Sequence, residues 1–302
     1  MVLGEKLLMK LLILSRLMER NEWHIKELIR ETGISSERLN KLLRELSKNY
    51  LMTYDESSIV WNPADIPSTL KPWGWRLYHY PVLGSTQDAA RGHGPWSIVI
   101  AEYLIEAKGR HGRSWKANLG GIWATISLQV PSEWAPLLPI AASVIVAKTL
   151  NSLYKINAKI KWPNDIVVNG SKIAGILVEA EAFPNSFIAY IGIGINVNNN
   201  PGVEGAIALK DLVGLKPRNQ LLASLIGRFS RMGKIVDEKE KLIKTYKEYL
   251  DTLGRKVIVE THSGVIEGIA EDLRDDGSIV IASEGRELVF DPITVLRLRY
   301  KD

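Results

Sequence analysis

The chain has 302 residues, 46% of them hydrophobic, and its 39 basic and 34 acidic side chains give a net charge of +5. This length exceeds a typical single domain and predicts two or three domains with cores of their own. Because there is no cysteine, the sequence excludes disulfides, thiolate metal sites and thiol nucleophiles. The apolar run at residues 11–14 is too short to span a bilayer and no cleavage site follows it, so we expect a cytoplasmic protein with no membrane contact.

Residues 1–65 are predicted to form three short helices followed by a two-stranded wing. Leucines at helical spacing between residues 7 and 14 outline the first helix, and Ile25, Leu28 and Ile29 outline the second. A turn at residues 32–34 precedes the third helix, for which Ser35 is the expected N-cap. Two β-type segments at residues 51–54 and 59–61 follow. The pattern is typical of a winged helix-turn-helix.

The third helix of this predicted domain would place its polar face in the major groove of DNA. The candidate DNA-binding residues on that face are Ser36, Arg38, Asn40, Lys41 and Arg44. Residues 1–65 nevertheless carry ten basic and ten acidic side chains, a balance of zero, whereas DNA affinity depends on phosphate neutralisation. A purely structural or dimerising winged-helix domain is therefore the alternative.

Three prolines between residues 62 and 72 predict a stiff interdomain linker with a boundary near residue 68. Apolar strands then mix with amphipathic helices over residues 68–252, which indicates an α/β domain built on a mixed sheet. Residues 254–302 contain five short β-type segments separated by turns, and we expect them to form a small SH3-like β-barrel. The fold prediction is thus an α/β multidomain protein.

The segment at residues 108–115 combines lysine, two arginines, histidine, two glycines and a tryptophan within eight positions. Glycines let backbone N–H groups turn toward an anion, arginines match phosphate oxygens bidentately, and a tryptophan ring can cover a planar base. This composition predicts a loop that binds a nucleoside phosphate. A solvated basic surface turn is the alternative explanation.

Three further motifs follow this loop along the chain. They are Lys161-Trp162-Pro163-Asn164-Asp165, the strand from Lys172 to Glu179 with Gly175 inside it, and Gly192-Ile193-Gly194-Ile195-Asn196-Val197-Asn198. With the basic loop, these segments in this order resemble the biotin protein ligases, including the bifunctional members that carry a winged helix and repress transcription. A Ser85-Thr86 pair ahead of the loop adds to the resemblance.

The resemblance implies a class II synthetase-like catalytic domain that joins biotin to ATP as biotinyl-5′-AMP and then transfers biotin to a lysine of a biotin carboxyl carrier protein. A Mg²⁺ ion would accompany ATP and be held mainly by phosphate oxygens, so no protein metal ligands are predicted. A homodimer and an operator DNA are the other implied partners.

The resemblance also assigns roles to individual residues. Lys172, Arg110 and Asp165 are the implied catalytic residues, with Lys172 bridging the biotin carboxyl group and the α-phosphate. The implied biotin-binding residues are Ser85, Thr86, Lys108, Gly175, Leu177 and Gly192. The implied ATP and adenylate contacts are Gly109, Arg110, Gly112, Arg113, Trp115, Asn164, Lys172 and Asn196.

The chain departs from the family pattern at three positions near the loop. Family members usually have Gln at the position of Leu104, Gly at that of Ala107 and Arg at that of Lys108. A biotin-sensing repressor without transferase activity is therefore an alternative function. A lipoate or octanoate ligase is a second alternative, but it predicts a loop without the Gly-Arg-x-Gly-Arg core of residues 109–113.

Overall fold

The computed structural model describes residues 3–183 and 186–301, which divide into three units along the chain. Within the N-terminal unit the strand order is β1-β3-β2, with both pairings antiparallel. Its elements are α1 (Glu5–Glu19), β1 (Glu22–His24), α2 (Ile25–Thr32), α3 (Ser36–Leu46), β2 (Met52–Tyr54) and β3 (Ser58–Trp61).

The three helices of the N-terminal unit lie where the leucine spacing predicts them, and they share one apolar core. Gly33 ends α2 in the left-handed conformation, with φ of 67°, as expected of a helix C-terminal glycine. Ser35 occupies the N-cap position of α3 but makes no side-chain capping bond. Strand β1 was not predicted, and it widens the expected two-stranded hairpin into a three-stranded sheet.

The proline-rich segment at residues 62–72 is packed rather than extended through solvent. It forms two 3-10 turns, Pro63–Asp65 and Pro67–Thr69, and Asp65, Ile66 and Pro67 are buried. The Asn219 side-chain amide donates to the carbonyl oxygens of Pro63 and Ile66 at 2.9 and 3.0 Å. The predicted linker is therefore part of the contact between the N-terminal and central units.

The central unit contains a seven-stranded mixed sheet with the order β4-β5-β6-β10-β9-β8-β7. Only β4 and β5 pair in parallel. The elements are β4 (Arg76–Leu83), α4 (Thr86–Arg91), β5 (Ser97–Leu104), β6 (Ile122–Pro131), α5 (Leu138–Tyr154), β7 (Lys159–Lys161), β8 (Asp165–Val168), β9 (Ser171–Phe183), β10 (Ser186–Ile195), α6 (Leu209–Val213), α7 (Arg218–Phe229), α8 (Met232–Asp237) and α9 (Lys239–Tyr249).

The two faces of this sheet are covered by different helices. Successive residues of a strand point to opposite faces, and Ile98 and Ile100 join the large core that contains α5, α7 and α9. Val99 instead packs with Ala90 of α4 and with Tyr190. Along β10, Tyr190, Gly192 and Gly194 share the α4 face, where the glycines let Gln87 and Trp115 approach the strand closely.

The C-terminal unit is a five-stranded antiparallel sheet with the order β14-β13-β12-β11-β15. Its strands are β11 (Lys256–Thr261), β12 (Gly264–Leu273), β13 (Ile279–Ser283), β14 (Arg286–Phe290) and β15 (Val295–Tyr300). Val257, Val259 and Leu273 belong to the same apolar core as α5. The indole N–H of Trp162 donates to the carbonyl of Gly277 at 2.9 Å, so the central and C-terminal units are firmly joined.

Among the described residues, the stretch Ser132–Tyr154 is the one helical segment with the length and hydropathy to cross a bilayer. Two-thirds of its most apolar window is buried inside the protein. Its apolar side chains pack under the sheet with α7 and α9, so its hydropathy is explained by a position in the core.

Candidate active site

A cavity of about 360 Å³ lies on the α4 face of the central sheet, beneath the loop of residues 108–115 that is here called the cationic loop. Five cationic side chains line it and Asp165 is its one carboxylate; the cations are Lys108, Arg110, Arg113, Lys172 and Arg297. Such a balance suits an anionic ligand, because clustered cations raise the local concentration of anions.

Lys172 and Asp165 form an ion pair on the cavity wall, with 2.7 Å between Lys172 Nζ and Asp165 Oδ1. Both side chains are about one-third exposed, at 33% and 30%. Lys172 enters β9 directly after a turn in which Asn169 and Gly170 have positive φ. Asp165 begins β8, which pairs with the first residues of β9. The hairpin therefore fixes an ammonium and a carboxylate at the opening of the cavity.

The Trp115 ring lies flat over two glycines that face each other across β9 and β10, Gly175 and Gly194. A Cβ atom at either glycine would stand 3.1 Å from the ring, which is closer than side chains normally tolerate. Lys172 Nζ lies 4.8 Å from the ring centroid, a cation–π distance. The glycines thus make the space that the indole occupies beside the catalytic candidate Lys172.

The indole N–H of Trp115 is buried and has no acceptor among residues 3–183 and 186–301. Buried donors are normally paired, and an orphaned one needs an explanation such as a ligand or water. Trp123 packs edge-on against Trp115 with 6.1 Å between ring centroids. The arrangement leaves the Trp115 indole N–H as a donor unpaired within the described residues, beside a cavity large enough for a ligand.

The cationic loop is closed by backbone hydrogen bonds. Gly109 N–H donates to the carbonyl of Arg113 at 2.7 Å, and Trp115 N–H donates to that of Ala107 at 2.9 Å. His111 and Gly112 at its tip have positive φ, at 54° and 69°. This turn directs Lys108, Arg110 and Arg113 toward the cavity while Gly112 stays outside its lining.

Arg110 is anchored to another part of the central unit and to the C-terminal unit. Its guanidinium donates to the Asn164 side-chain oxygen at 3.5 Å, to the carbonyl of Val295 at 3.2 Å and to the carbonyl of Pro292. Burial, with Arg113 close by, lowers the pKa of Arg110, but an arginine starts so high that it stays protonated at neutral pH. A partly buried, fixed cation loses little entropy when an anion binds.

The other end of the cavity is neutral and polar. Ser85 caps α4 by accepting from Asp88 N–H at 3.3 Å, and the hydroxyl groups of Thr125 and Thr86 lie 2.9 Å apart. Gln87 donates to Glu179 at 3.2 Å, and its oxygen lies 3.1 Å from the Thr125 hydroxyl. Hydroxyl and amide groups here suit a neutral polar ring, whereas the cationic loop suits phosphate.

Comparisons with known proteins identify the family of this chain. Residues 94–198 match the model of the "Biotin/lipoate A/B protein ligase family". A bifunctional ligase/repressor BirA of Bacillus subtilis is 29% identical over 239 residues, which are 72% of this chain and 73% of that protein. A biotin–[acetyl-CoA-carboxylase] ligase of Mycobacterium tuberculosis is 31% identical over 215 residues, which are 67% of this chain and 79% of that protein. This chain belongs to the biotin protein ligase family.

The fold agrees with a solved member of the biotin protein ligase family. The biotin protein ligase of Aquifex aeolicus in complex with biotin and ATP superposes with a TM-score of 0.65 at 25% identity, covering 75% of this chain and 99% of that one. Together these relatives identify the chain as an enzyme of the biotin–protein ligase type. The prediction of an α/β fold around a mixed sheet is confirmed in the same comparison.

The structure brings together thirteen of the fifteen residues to which the family resemblance gives a role. Those that line the cavity are Ser85, Thr86, Lys108, Gly109, Arg110, Arg113, Trp115, Asn164, Asp165, Lys172, Gly175, Leu177 and Gly192. Gly112 and Asn196 lie outside its lining. The Asn196 side-chain oxygen accepts from Asn199 at 2.9 Å, a contact that holds the chain after β10, and the adenylate role of Asn196 stays a prediction.

Two of the three departures from the family pattern, Leu104 and Ala107, belong to an apolar wall of the cavity. Leu104 and Trp115 pack against a small cluster of Ala107, Ala117 and Trp123. Family members usually have Gln at the position of Leu104, and that amide is absent from this wall. The side-chain amides in the lining are those of Gln87, which comes from α4, and Asn164.

Sequence reasoning missed one cation of the site, Arg297 on β15. It lies 125 positions after Lys172 in a β-rich segment with no recognisable motif. Only the docking of the C-terminal unit brings it to the cavity, so no local signal in the sequence could have identified it.

Proposed function

We propose that the protein activates biotin with ATP and transfers the biotinyl group to a lysine of a biotin carboxyl carrier protein. The observation that carries the proposal is the Lys172–Asp165 pair at 2.7 Å, placed beside Trp115 in a cavity with a large cationic excess. This is where an adenylate would need its charge neutralised and where an incoming amine would need a carboxylate.

In the first step a carboxylate oxygen of biotin attacks the α-phosphorus of ATP, so that one P–O bond forms and the bond to pyrophosphate breaks. Two anions must approach each other, and cations in a site of low dielectric offset their repulsion. Lys172 would donate to the carboxyl and α-phosphate oxygens. Arg110, which Asn164 and the Val295 carbonyl hold in place, and Arg113 would bind the remaining phosphate oxygens.

In the second step the carrier lysine amine attacks the acyl carbon of biotinyl-5′-AMP. A C–N bond forms, the C–O bond to AMP breaks, and the amine loses a proton. Asp165 would orient this amine and accept its hydrogen bond, because one of its oxygens is already fixed by Lys172. A positioned carboxylate at hydrogen-bond distance is what general-base assistance requires.

The Mg²⁺ ion that accompanies ATP would be coordinated chiefly by phosphate oxygens and water. Across the described parts of the chain, no group of three His, Asp or Glu side chains could hold a metal ion. Asp165, the carboxylate of the cavity, is engaged by Lys172. The protein would therefore bind the ion through its nucleotide, as is common for this metal.

The test is transfer of radiolabelled biotin to a carrier domain in the presence of ATP and Mg²⁺. We expect Lys172→Ala to reduce transfer by at least a hundredfold, because neutralisation at the reacting phosphate is lost. Lys244→Ala, on the exposed face of α9, is the matched control and should keep full activity. Biotin binding by the wild-type protein without any transfer would favour the non-catalytic sensor instead, and use of lipoate in place of biotin would favour a lipoate ligase.

A second function, repression of transcription by the N-terminal unit as a winged helix, is favoured by the surface of α3. Ser36, Arg38, Asn40, Lys41 and Arg44 are all exposed. The carboxylate of Glu45 turns toward α1, where hydrogen bonds from Lys10 and Lys6 lower its pKa to about 2. Arg38 pairs with Glu5 of α1 at 2.9 Å, so Lys41 and Arg44 are the cations of α3 on which this proposal rests. The bifunctional ligase/repressor of B. subtilis is a relative that has both activities by its name.

For the repressor function we predict that Lys41→Ala/Arg44→Ala lowers affinity for operator DNA selected from the source genome by at least tenfold. Two phosphate or base contacts would be lost, and the salt dependence of binding would become shallower. Mobility-shift titration at several salt concentrations measures both effects. Lys26→Ala/Arg30→Ala, on α2, is the control. Equal losses of DNA affinity in both double variants would argue against DNA recognition by α3.

We also propose a homodimer formed through the outer edge of β9. Strand β8 pairs with β9 only as far as Gly175, and in the described parts of the chain no strand pairs with that edge beyond it. An unpaired strand edge is a template for a second chain. Sedimentation velocity with and without biotin and ATP measures the assembly, and a monomer under both conditions would contradict it.

A further inference from the structure

A second cavity, of about 540 Å³, lies between α5, α7, α8 and α9, on the face of the sheet opposite the active site. Its floor is apolar: Val144, Ile145 and Leu242 are buried and Ile235 is half-buried. Its volume is within the range of small-molecule sites, which are mostly apolar with a few placed polar groups. Nothing in the proposed ligase chemistry uses it.

The rim of this second cavity is strongly basic. Its charged residues are Lys148, Arg228, Arg231, Lys234 and Lys241, with Glu238 as the single carboxylate. Glu238 is paired with Lys241. The other four cations have no carboxylate within ion-pair distance in residues 3–183 and 186–301. Four cations around one apolar floor raise the local concentration of anions.

Two of these four cations are half-buried, whereas Arg231 and Lys234 are exposed. Lys148 follows Val144 by one turn of α5 and is half-buried. Arg228, near the end of α7, is also half-buried, and its guanidinium donates to the Ser152 hydroxyl at 3.3 Å. A head group held between them would leave its attached chain on Val144, Ile145 and Leu242.

The lining also narrows the class of ligand. It contains no Trp, Tyr or Phe, so a nucleobase would lack a stacking partner. Its four aliphatic side chains are buried or half-buried, and none of them protrudes into solvent. A membrane surface needs protruding apolar groups to insert, whereas a single molecule can enter a recess.

We propose that the second cavity binds a single-chain amphiphile with an anionic head, of the fatty-acid class. The carboxylate pairs with Lys148 and Arg228, and the acyl chain lies along Val144, Ile145, Ile235 and Leu242. The charge selects an anion, and the burial of methylene groups on the apolar floor supplies most of the affinity. This site is independent of the ligase proposal, since it shares no residue with the active-site cavity.

The test is isothermal titration calorimetry of the full chain with dodecanoate below its micelle concentration. We expect saturable one-to-one binding, with dodecanol at least tenfold weaker because it lacks the charge, and butyrate too weak to measure because it lacks the chain. Lys148→Met/Arg228→Met should weaken dodecanoate binding at least tenfold. Lys239→Met/Lys244→Met removes two exposed lysines of α9 outside the cavity and should bind as the wild type does.

Biotin transfer by each variant serves as the check that it is folded, and all four substitutions should leave that activity unchanged. If Lys148→Met/Arg228→Met does not fold, Lys234→Glu reverses an exposed rim charge and should weaken dodecanoate binding about fivefold. Equal affinity for dodecanol and dodecanoate would overturn the proposal, as would undiminished binding in the rim variants. Adsorption to phosphatidylglycerol vesicles without binding of monomeric dodecanoate would also overturn it, in favour of a membrane surface.

Discussion

At the scale of single residues, the site depends on glycines that admit one large ring. Gly175 and Gly194 are cross-strand neighbours. A Cβ atom added to either residue would lie 3.1 Å from the Trp115 ring. Both belong to rigid strands in the middle of the sheet, so the backbone cannot move away. The ring, at the edge of a loop, is the group that must shift.

We therefore predict that Gly194→Ala displaces the Trp115 ring and lowers the rate of biotin-dependent ATP–pyrophosphate exchange about tenfold or more. A displacement well below 1 Å is enough for such an effect when it misplaces reacting groups. The melting temperature should change little, because the added methyl meets a half-exposed ring. An initial-rate assay at varied ATP would show the loss mainly in the KM for ATP.

Gly227→Ala is the matched control for this substitution. Gly227 lies in α7 with nothing within 4 Å of a placed Cβ, so alanine there should keep full activity and slightly stabilise the helix. Wild-type exchange kinetics in Gly194→Ala would mean that Trp115 does not contact the nucleotide.

At the scale of elements, buried charges join the N-terminal unit to the central sheet. Arg218 at the start of α7 donates to Glu102 of β5 at 2.7 Å and to Asp65 at 2.9 Å. Tyr50 donates its hydroxyl to Glu102 at 2.7 Å, and His79 of β4 contacts the same carboxylate at 2.7 Å. The Tyr50–Glu102 hydrogen bond and the Arg218–Asp65 ion pair connect the N-terminal part of the chain to the central unit. The cluster therefore fixes how the two units pack.

We predict that this cluster makes the free energy of unfolding decrease at acidic pH. Burial raises the pKa of Glu102, but Arg218 and His79 outweigh it and hold the pKa at about 2, below the usual 4.5. Since the folded-state pKa is depressed, the contribution is present above about pH 4.5 and is lost as the pH falls toward 2. A shift of this size corresponds to roughly 3 kcal/mol.

Urea unfolding of wild type and Glu102→Gln between pH 7 and pH 2.5 measures the effect. The variant should be less stable at pH 7, because Arg218 is left partly uncompensated in the interior, and its stability should fall less steeply below pH 4.5. Glu204→Gln, at an exposed position, controls for the loss of one carboxylate. Parallel acid profiles for wild type and Glu102→Gln would exclude Glu102 as the source.

The sequence predicts elements with strong periodicity well and predicts their junctions poorly. Apolar residues at helical spacing place α1, α2 and α3, and the motif strand predicted from Lys172 to Glu179 lies within β9. Strand β4 and helix α4 were missed; in β4, every residue after the exposed Arg76 is half-buried, so its two faces do not alternate in burial. The proline-rich segment was expected to be a linker, because a high proline content indicates a stiff chain. It does not indicate that Asn219 and Arg218 bind the segment and bury it against the central unit.

The same limit applies to the candidate site. Lys172, Asp165 and the cationic loop could be predicted because short motifs hold them together in sequence. Asn196 belongs to such a motif too, but it lies outside the cavity lining and its side-chain oxygen accepts from Asn199, so its role stays a prediction. Arg297 and the second cavity depend on tertiary packing alone.

At the scale of the whole molecule, the active-site cavity belongs to two units at once. The guanidinium of Arg110 is held by carbonyl groups at Pro292 and Val295, and Arg297 on β15 lines the cavity. Arg297 also lies close enough to Lys161 to help lower its pKa, although burial is the main cause. The C-terminal sheet thus supplies positive charge to the phosphate end of the site.

We therefore predict that Arg297→Ala raises the KM for ATP about tenfold and leaves the affinity for biotin unchanged. One charge-assisted hydrogen bond to phosphate is worth roughly 1.5–3 kcal/mol, and the polar groups at Ser85, Thr86 and Gln87 that would hold biotin lie on the central unit. Arg299→Ala, two residues along β15 and paired with Glu260 outside the cavity, should behave as wild type. Equal weakening of biotin and ATP binding in Arg297→Ala would instead mean that the arginine holds the C-terminal unit in place, because a displaced unit would release Arg110 and disturb both ends of the cavity.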